Sequence, residues 1–206
     1  MPQATATPGG YPEVSGMWHT DITEILGFVT GALCVWLLAR QNIWTWPIGI
    51  ANNIFYIVVF LRSGLFGDAG LQVVYIVLAA YGWYTWLHPD GAKSELRVAR
   101  TSPRQWLWLI PATAAAALLL RAFLAGYTPS TVPAWDGLTT ALSLAATWGQ
   151  CRKLVESWWL WIAVDVIYIP LYIYKGLNLT AVLYFVFMLL CVAGLRSWNR
   201  ALRERV

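Results

Sequence analysis

The chain has 206 residues, 59% of them apolar and only 12% charged, whereas an ordinary soluble domain carries about 25% charge. A mean hydropathy of +0.56 with 14 Trp and 10 Tyr excludes a water-soluble globule and fits a membrane protein with aromatic belts at the two interfaces. The net charge of +4 is spread over short connecting segments rather than gathered on one face, so nucleic acid is not an implied partner.

Residues 1–18 are rich in Pro, Gly, Ala and Thr, carry no Lys or Arg, and so lack the basic start of a secretion signal. They read as a disordered tail. Apolar runs then follow at roughly 20–40, 45–61, 68–87, 105–125, 136–152, 158–174 and 177–196, each about the length a bilayer-crossing helix needs. The expected fold is an all-α membrane protein with seven transmembrane helices. Pro47 falls in the first turn of the second helix, where its missing N–H costs nothing. Gly64–Leu65 and Gly176–Leu177 read as turns between spans.

With seven crossings the termini lie on opposite sides. One side collects Arg62, Arg121 and Lys175; the other collects Arg40, the cluster from Lys93 to Arg104, Arg152, Lys153 and the arginines from Arg196 onward. Basic residues favour the cytoplasmic face, so the N-terminus is expected outside and the C-terminus in the cytoplasm of a cell (inner) membrane.

Sliding the chain against itself by 112 residues superimposes 24–87 on 136–199 without a gap. Matched pairs include Trp36/Trp148, Arg40/Arg152, Trp46/Trp158, Tyr56/Tyr168, Gly82/Gly194 and Trp86/Trp198. Apolar composition alone yields scattered Leu and Ala matches, not this set in one register. Each repeat holds three helices and one further helix separates them. That crossing restores direction, giving a 3+1+3 parallel repeat: a first bundle at 19–87, a cytoplasmic loop at 88–104, a linking helix at 105–125, a second bundle at 136–199 and a basic tail at 200–206. Parallel repeats occur in transporters, with the substrate near the midplane between them.

Asp165 lies in the middle of the sixth span. A carboxyl at that depth costs about 2.5–3.5 kcal/mol and needs a partner or a wet cavity. No basic residue falls deep in any span, so a protein salt bridge is not available to it. Trp161, Tyr168 and Tyr172 share its helix face by spacing. An acid with polar-edged aromatics suits a flat, polar-edged ligand, a cation included; core packing is the bland alternative for the two tyrosines. Asn52, Asn53 and Tyr56 interrupt the second span, and Gln72 and Tyr184 are repeat-equivalent polar positions in the third and seventh. Interhelical hydrogen bonding is the alternative for these. Gly82 and Gly194 are expected to let helices approach closely.

Other chemistry finds little support. Cys34, Cys151 and Cys191 lie inside apolar runs without C-x-x-C spacing and read as buried small hydrophobes. His19 and His88 are the only histidines and both sit at span ends, which removes a Ser–His hydrolase and a His-rich metal site. No phosphate-cradling glycine loop occurs, and the last span has no lysine for a retinal Schiff base. The chain reads as no enzyme, with no cofactor.

Trp46-Pro47-Ile48-Gly49-Ile50-Ala51-Asn52, Gly70-Leu71-Gln72 and Tyr81-Gly82-Trp83-Tyr84-x-Trp86 resemble the first half of the Pnu vitamin transporters. Arg152-Lys153-Leu154-Val155-Glu156-Ser157-Trp158-x-x-Trp161, followed by Asp165, resembles the second half, so the match covers most of 22–199. The nicotinamide riboside branch is the most similar, and relatives on the same scaffold carry thiamine or riboflavin. The resemblance implies uniport by facilitated diffusion, trapping by later phosphorylation, a homotrimer, and a binding site that includes Asn52, Gln72, Trp158, Trp161 and Asp165. The repeat adds Trp46, Asn53, Tyr56, Tyr168 and Tyr184 as candidates. Some relatives carry Asn where Asp165 stands here. Trp and Tyr faces would hold the pyridinium ring, each contact worth about 0.5–2 kcal/mol. Asn and Gln would pair its polar groups, and Asp165 would offset its charge.

Overall fold

A computed structural model describes residues 22–62, 66–89, 96–128, 131–174 and 178–204. The expected 1–18 tail and the turns at Gly64–Leu65 and Gly176–Leu177 lie outside the described residues. Seven helices follow in order: α1 (Ile22–Ala39), α2 (Thr45–Arg62), α3 (Phe66–Leu87), α4 (Pro103–Tyr127), α5 (Pro133–Cys151), α6 (Glu156–Tyr174) and α7 (Asn178–Arg203). No strand occurs among the described residues. Three segments, Pro103–Tyr127, Glu156–Tyr174 and Thr180–Arg203, are long and apolar enough to cross a bilayer, and Leu26–Ala39 and Thr45–Val59 are shorter apolar helices. α7 continues to Arg203, so most of the expected basic tail is an extension of the last helix.

Each of α1, α2, α3, α5, α6 and α7 packs against two others of the six, in the cyclic order α1–α2–α3–α5–α6–α7 and back to α1. α4 packs only on the outside of α5. Lipid tails are as apolar as leucine, so close backbone approach and hydrogen bonds hold such helices together rather than burial from water. α5 shows the device: its buried residues are mostly Gly, Ala, Ser and Thr. A Cβ on Gly137 would stand 2.7 Å from the backbone nitrogen of Arg121, and one on Gly149 would stand 2.9 Å from Cβ of Ser157.

At one end of the ring the two halves grip each other at positions 112 apart. The Trp86 indole donates to the Gln150 carbonyl at 3.3 Å, and the Trp198 indole donates to the Leu38 carbonyl at 3.2 Å. Gln41 and Lys153, in the α1–α2 and α5–α6 turns, both adopt the left-handed conformation, with φ of 54° and 51°. Lys153 Nζ donates to Gln41 Oε1 at 3.2 Å and sits 4.2 Å from the Trp86 ring centroid.

The segment before α4, read from sequence as plain loop, is docked. Ala99 pairs with Leu154 in an isolated parallel bridge, through bonds of 3.0 Å from Ala99 N to Lys153 O and from Val155 N to Ala99 O. Glu156 Oε2 accepts from both the amide and the hydroxyl of Thr101 at 2.8 Å. Ser102 and Gln105 then form a capping box that starts α4, with Pro103 in its first turn.

Candidate functional site

The ring encloses a cavity of about 660 Å³, lined by residues of its six helices and none from α4. That volume lies within the range of small-molecule sites, about 300–1,000 Å³. All ten residues singled out from sequence line it: Trp46, Asn52, Asn53 and Tyr56 from α2, Gln72 from α3, Trp158, Trp161, Asp165 and Tyr168 from α6, and Tyr184 from α7. The sequence placed Tyr172 with them, but it falls outside the lining. Eleven residues is about three helical turns, so it lies on the same face yet deeper along the axis. There it stacks on Tyr168, with ring centroids 5.4 Å apart, and leans on Tyr184 at 5.0 Å.

Glycines set the tryptophans. A Cβ at Gly82 would collide with the Trp46 ring, and one at Gly194 would lie 2.5 Å from the Trp158 ring. Each indole therefore lies flat over a missing side chain, one helix away. Trp86 meets Trp46 edge-on at 5.4 Å, and Trp198 meets Trp158 at 5.3 Å, with interplanar angles of 89° and 87°. The close approach expected of the two glycines is thus an approach of indole to backbone.

Five buried side-chain atoms have no hydrogen-bond partner among the described residues: Nε1 of Trp46, Trp158 and Trp161, Oδ1 of Asn52 and Oδ2 of Asp165. All five belong to residues of this one cavity. Buried polar groups are nearly always paired, so an unpaired cluster calls for an outside partner. The orientation of Asn52 follows from its neighbours. Thr30 Oγ1 gives its proton to the Leu26 carbonyl at 2.7 Å and so accepts from Asn52 Nδ2 at 3.0 Å, leaving Oδ1 unfilled. Asp165 is 3% exposed, and no Lys, Arg or His lines the cavity among the described residues. The Cys191 thiol is its one hydrogen-bonding neighbour.

A family model described as nicotinamide mononucleotide transporter matches residues 21–200. The chain belongs to that family. Among curated members and relatives, it is 31% identical to the riboflavin/roseoflavin transporter RibM of Streptomyces davaonensis, over 88% of this chain and 84% of that one. It is 24% identical to the nicotinamide riboside transporter PnuC of Escherichia coli, over 94% of this chain and 92% of that one. The crystal structure of the vitamin B3 transporter PnuC shares its fold, with a TM-score of 0.71 at 23% identity, covering 89% of this chain and 83% of that one. The protein is thus a multi-pass membrane transporter of the vitamin-carrying kind.

This member of the nicotinamide mononucleotide transporter family has further lining residues that the sequence reading missed. Thr140, Ser143, Thr147 and Gln150 run down α5 at spacings of three, four and three, one stripe of a helix. Tyr75, Phe187 and Cys191 also line the wall. The α5 stripe was visible as a helical period of hydroxyls, a weaker signal than a lone acid or amide. Outside the lining, Thr139 shares a hydrogen bond of 2.8 Å with the Tyr168 hydroxyl and holds that ring upright. Among the described residues no group of three or more His, Cys, Asp or Glu gathers that could hold a metal ion. The wall offers stacking faces, hydrogen-bond groups and one carboxyl, which is equipment for holding a flat polar molecule.

Proposed function

We propose that this transporter takes up nicotinamide riboside by facilitated diffusion, with the vitamin trapped afterwards by phosphorylation by a separate kinase. The single observation that carries the reading is Asp165: a deeply buried carboxyl with an unpaired oxygen, among aromatic rings, in a cavity that no basic residue lines among the described residues. A pyridinium ring supplies the missing positive charge and fits between Trp and Tyr faces. The carboxamide suits the open groups of Asn52 and the three indoles.

The transport geometry proposed is a 3+1+3 parallel repeat around a fixed central site, with bundles at 19–87 and 136–199, α4 as the link and the site residues shared between them. Thirteen pairs of lining residues separated by 112 positions support it, among them Asn53/Asp165, Tyr56/Tyr168 and Gln72/Tyr184. The two Trp–Trp pairs of matching geometry support it further. The gripped end carries Arg40, Arg152, Arg196 and Arg200, which supports a cytoplasmic C-terminus and an outer N-terminus. A homotrimer follows from the resemblance.

Riboflavin is the second reading, favoured by the 31% identity to a riboflavin/roseoflavin transporter against 24% to a nicotinamide riboside transporter. Titration calorimetry of the purified full chain with nicotinamide riboside, thiamine and riboflavin separates them. Saturable heat with the riboside is the expected result. Heat with thiamine or riboflavin and none with the riboside overturns the substrate assignment.

A further inference from the structure

The two halves of the cavity differ most where α1 faces α5. Gly31, Val35 and Leu38 on α1 are the repeat partners of Ser143, Thr147 and Gln150 on α5. Apart from the weak thiol of Cys34, the α1 wall therefore offers no side-chain hydrogen bond, and the opposite wall offers several. The sense of those hydroxyls is fixed. Ser143 Oγ gives its proton to the Thr139 carbonyl at 2.8 Å, and Thr147 Oγ1 gives its proton to the Ser143 carbonyl at 2.8 Å. A hydroxyl has one proton, so both oxygens can now only accept. Ser143 also shares a hydrogen bond with the Tyr75 hydroxyl of α3, which leaves Thr147 as the more open acceptor. A ligand group satisfied on this wall must donate, and more than once.

We propose that the α5 stripe centred on Thr147 reads the hydroxylated five-carbon arm of the ligand, and so fixes one orientation: arm against α5, flat ring among the indoles and tyrosines. This rests on the reading of the cavity as a vitamin site. The ribose of nicotinamide riboside and the ribityl chain of riboflavin are both such arms. Their hydroxyls are donors that meet acceptor-only oxygens, and the ring ends in carbonyl groups that suit the unpaired indole N–H groups of Trp158 and Trp161. Thr147 is here a specificity-determining residue, and the α1 wall facing it offers only the weak thiol of Cys34 in competition.

The test is competitive binding to the detergent-purified full chain with two matched ligand pairs: nicotinamide riboside against 1-methylnicotinamide, and riboflavin against lumiflavin. In each pair a methyl group replaces the arm and the ring is kept. The wild-type protein is expected to prefer the arm-bearing member of the pair that it binds, which also tells the two vitamins apart. Thr147→Val keeps the shape and removes the acceptor, and should shrink that preference roughly 2–10-fold, the loss of one neutral hydrogen bond. Thr147→Ser restores the acceptor and should keep the preference, which a purely structural role for the side chain would not. A preference unchanged in Thr147→Val overturns the α5 assignment alone. A folded wild-type protein that binds neither vitamin overturns the vitamin reading and this inference with it.

Discussion

Gly194→Ala should injure the protein through Trp158 rather than through the helix that carries it. The new Cβ would stand 2.5–2.7 Å from three atoms of the indole's outer ring, where carbon–carbon contacts settle at about 3.5–4.0 Å. The ring must retreat by about 1 Å to restore that spacing. It has little room: Trp158 is fully buried and Trp198 abuts it edge-on at 5.3 Å. Overpacking of this kind costs about 1–3 kcal/mol. For a chain of this size that is a fall in melting temperature of roughly 2–12 °C. Intrinsic tryptophan fluorescence during a thermal ramp in detergent reports both the melting point and the displaced ring. Trp158→Phe shortens the obstructing side chain, so the double variant should melt higher than the sum of the two losses. Gly82→Ala, facing Trp46, is an internal replicate and should lose a similar amount. An unchanged melting point for Gly194→Ala, or no coupling with Trp158→Phe, would refute the reasoning.

Asp165→Asn keeps the shape and removes the charge. At an effective dielectric of about 20 and a separation of about 5 Å the lost attraction is at most about 3 kcal/mol, so calorimetry should find affinity for the cationic riboside lowered by up to roughly a hundredfold. Neutral riboflavin should change far less, and equal losses for both ligands would sink the charge argument. Glu156→Ala should release the segment before α4, because it removes the acceptor of both Thr101 bonds. Bonds to a charged group are worth about 1.5–3 kcal/mol, whereas Arg100, 3.9 Å away and mostly exposed, adds little. Hydrogen exchange should quicken across residues 96–102, and unchanged protection there would count against the docking.

Much of the site was legible because membrane depth makes polarity expensive. Asp165, Asn52, Asn53 and Gln72 stood out as the groups that lipid would not tolerate, and all of them line the cavity. Trp158 was legible through the family resemblance and Trp46 through the repeat, which matched it to Trp158. The α5 hydroxyls were not, because Ser and Thr satisfy themselves on the preceding turn and so cross an apolar helix unnoticed. Their cavity role depends on which helix faces which, and that is set by contacts between α3, α5 and α6 rather than by α5 itself. The docking of Ala99 on Leu154 was hidden for the same reason, since it joins residues 55 apart through backbone atoms alone. The end of α7 was misjudged because its last turns are basic and polar, while the helix runs on past the apolar span.

The paired clasp of Trp86 on Gln150 and Trp198 on Leu38, with Gln41 and Lys153 meeting between the turns, fastens that end of the ring in two places at once. Neither clasp belongs to one half of the chain: each is an indole from one half hooked on the other's backbone. Letting go of one leaves its twin still joining the same two stretches of chain, so that end stays closed until both have let go.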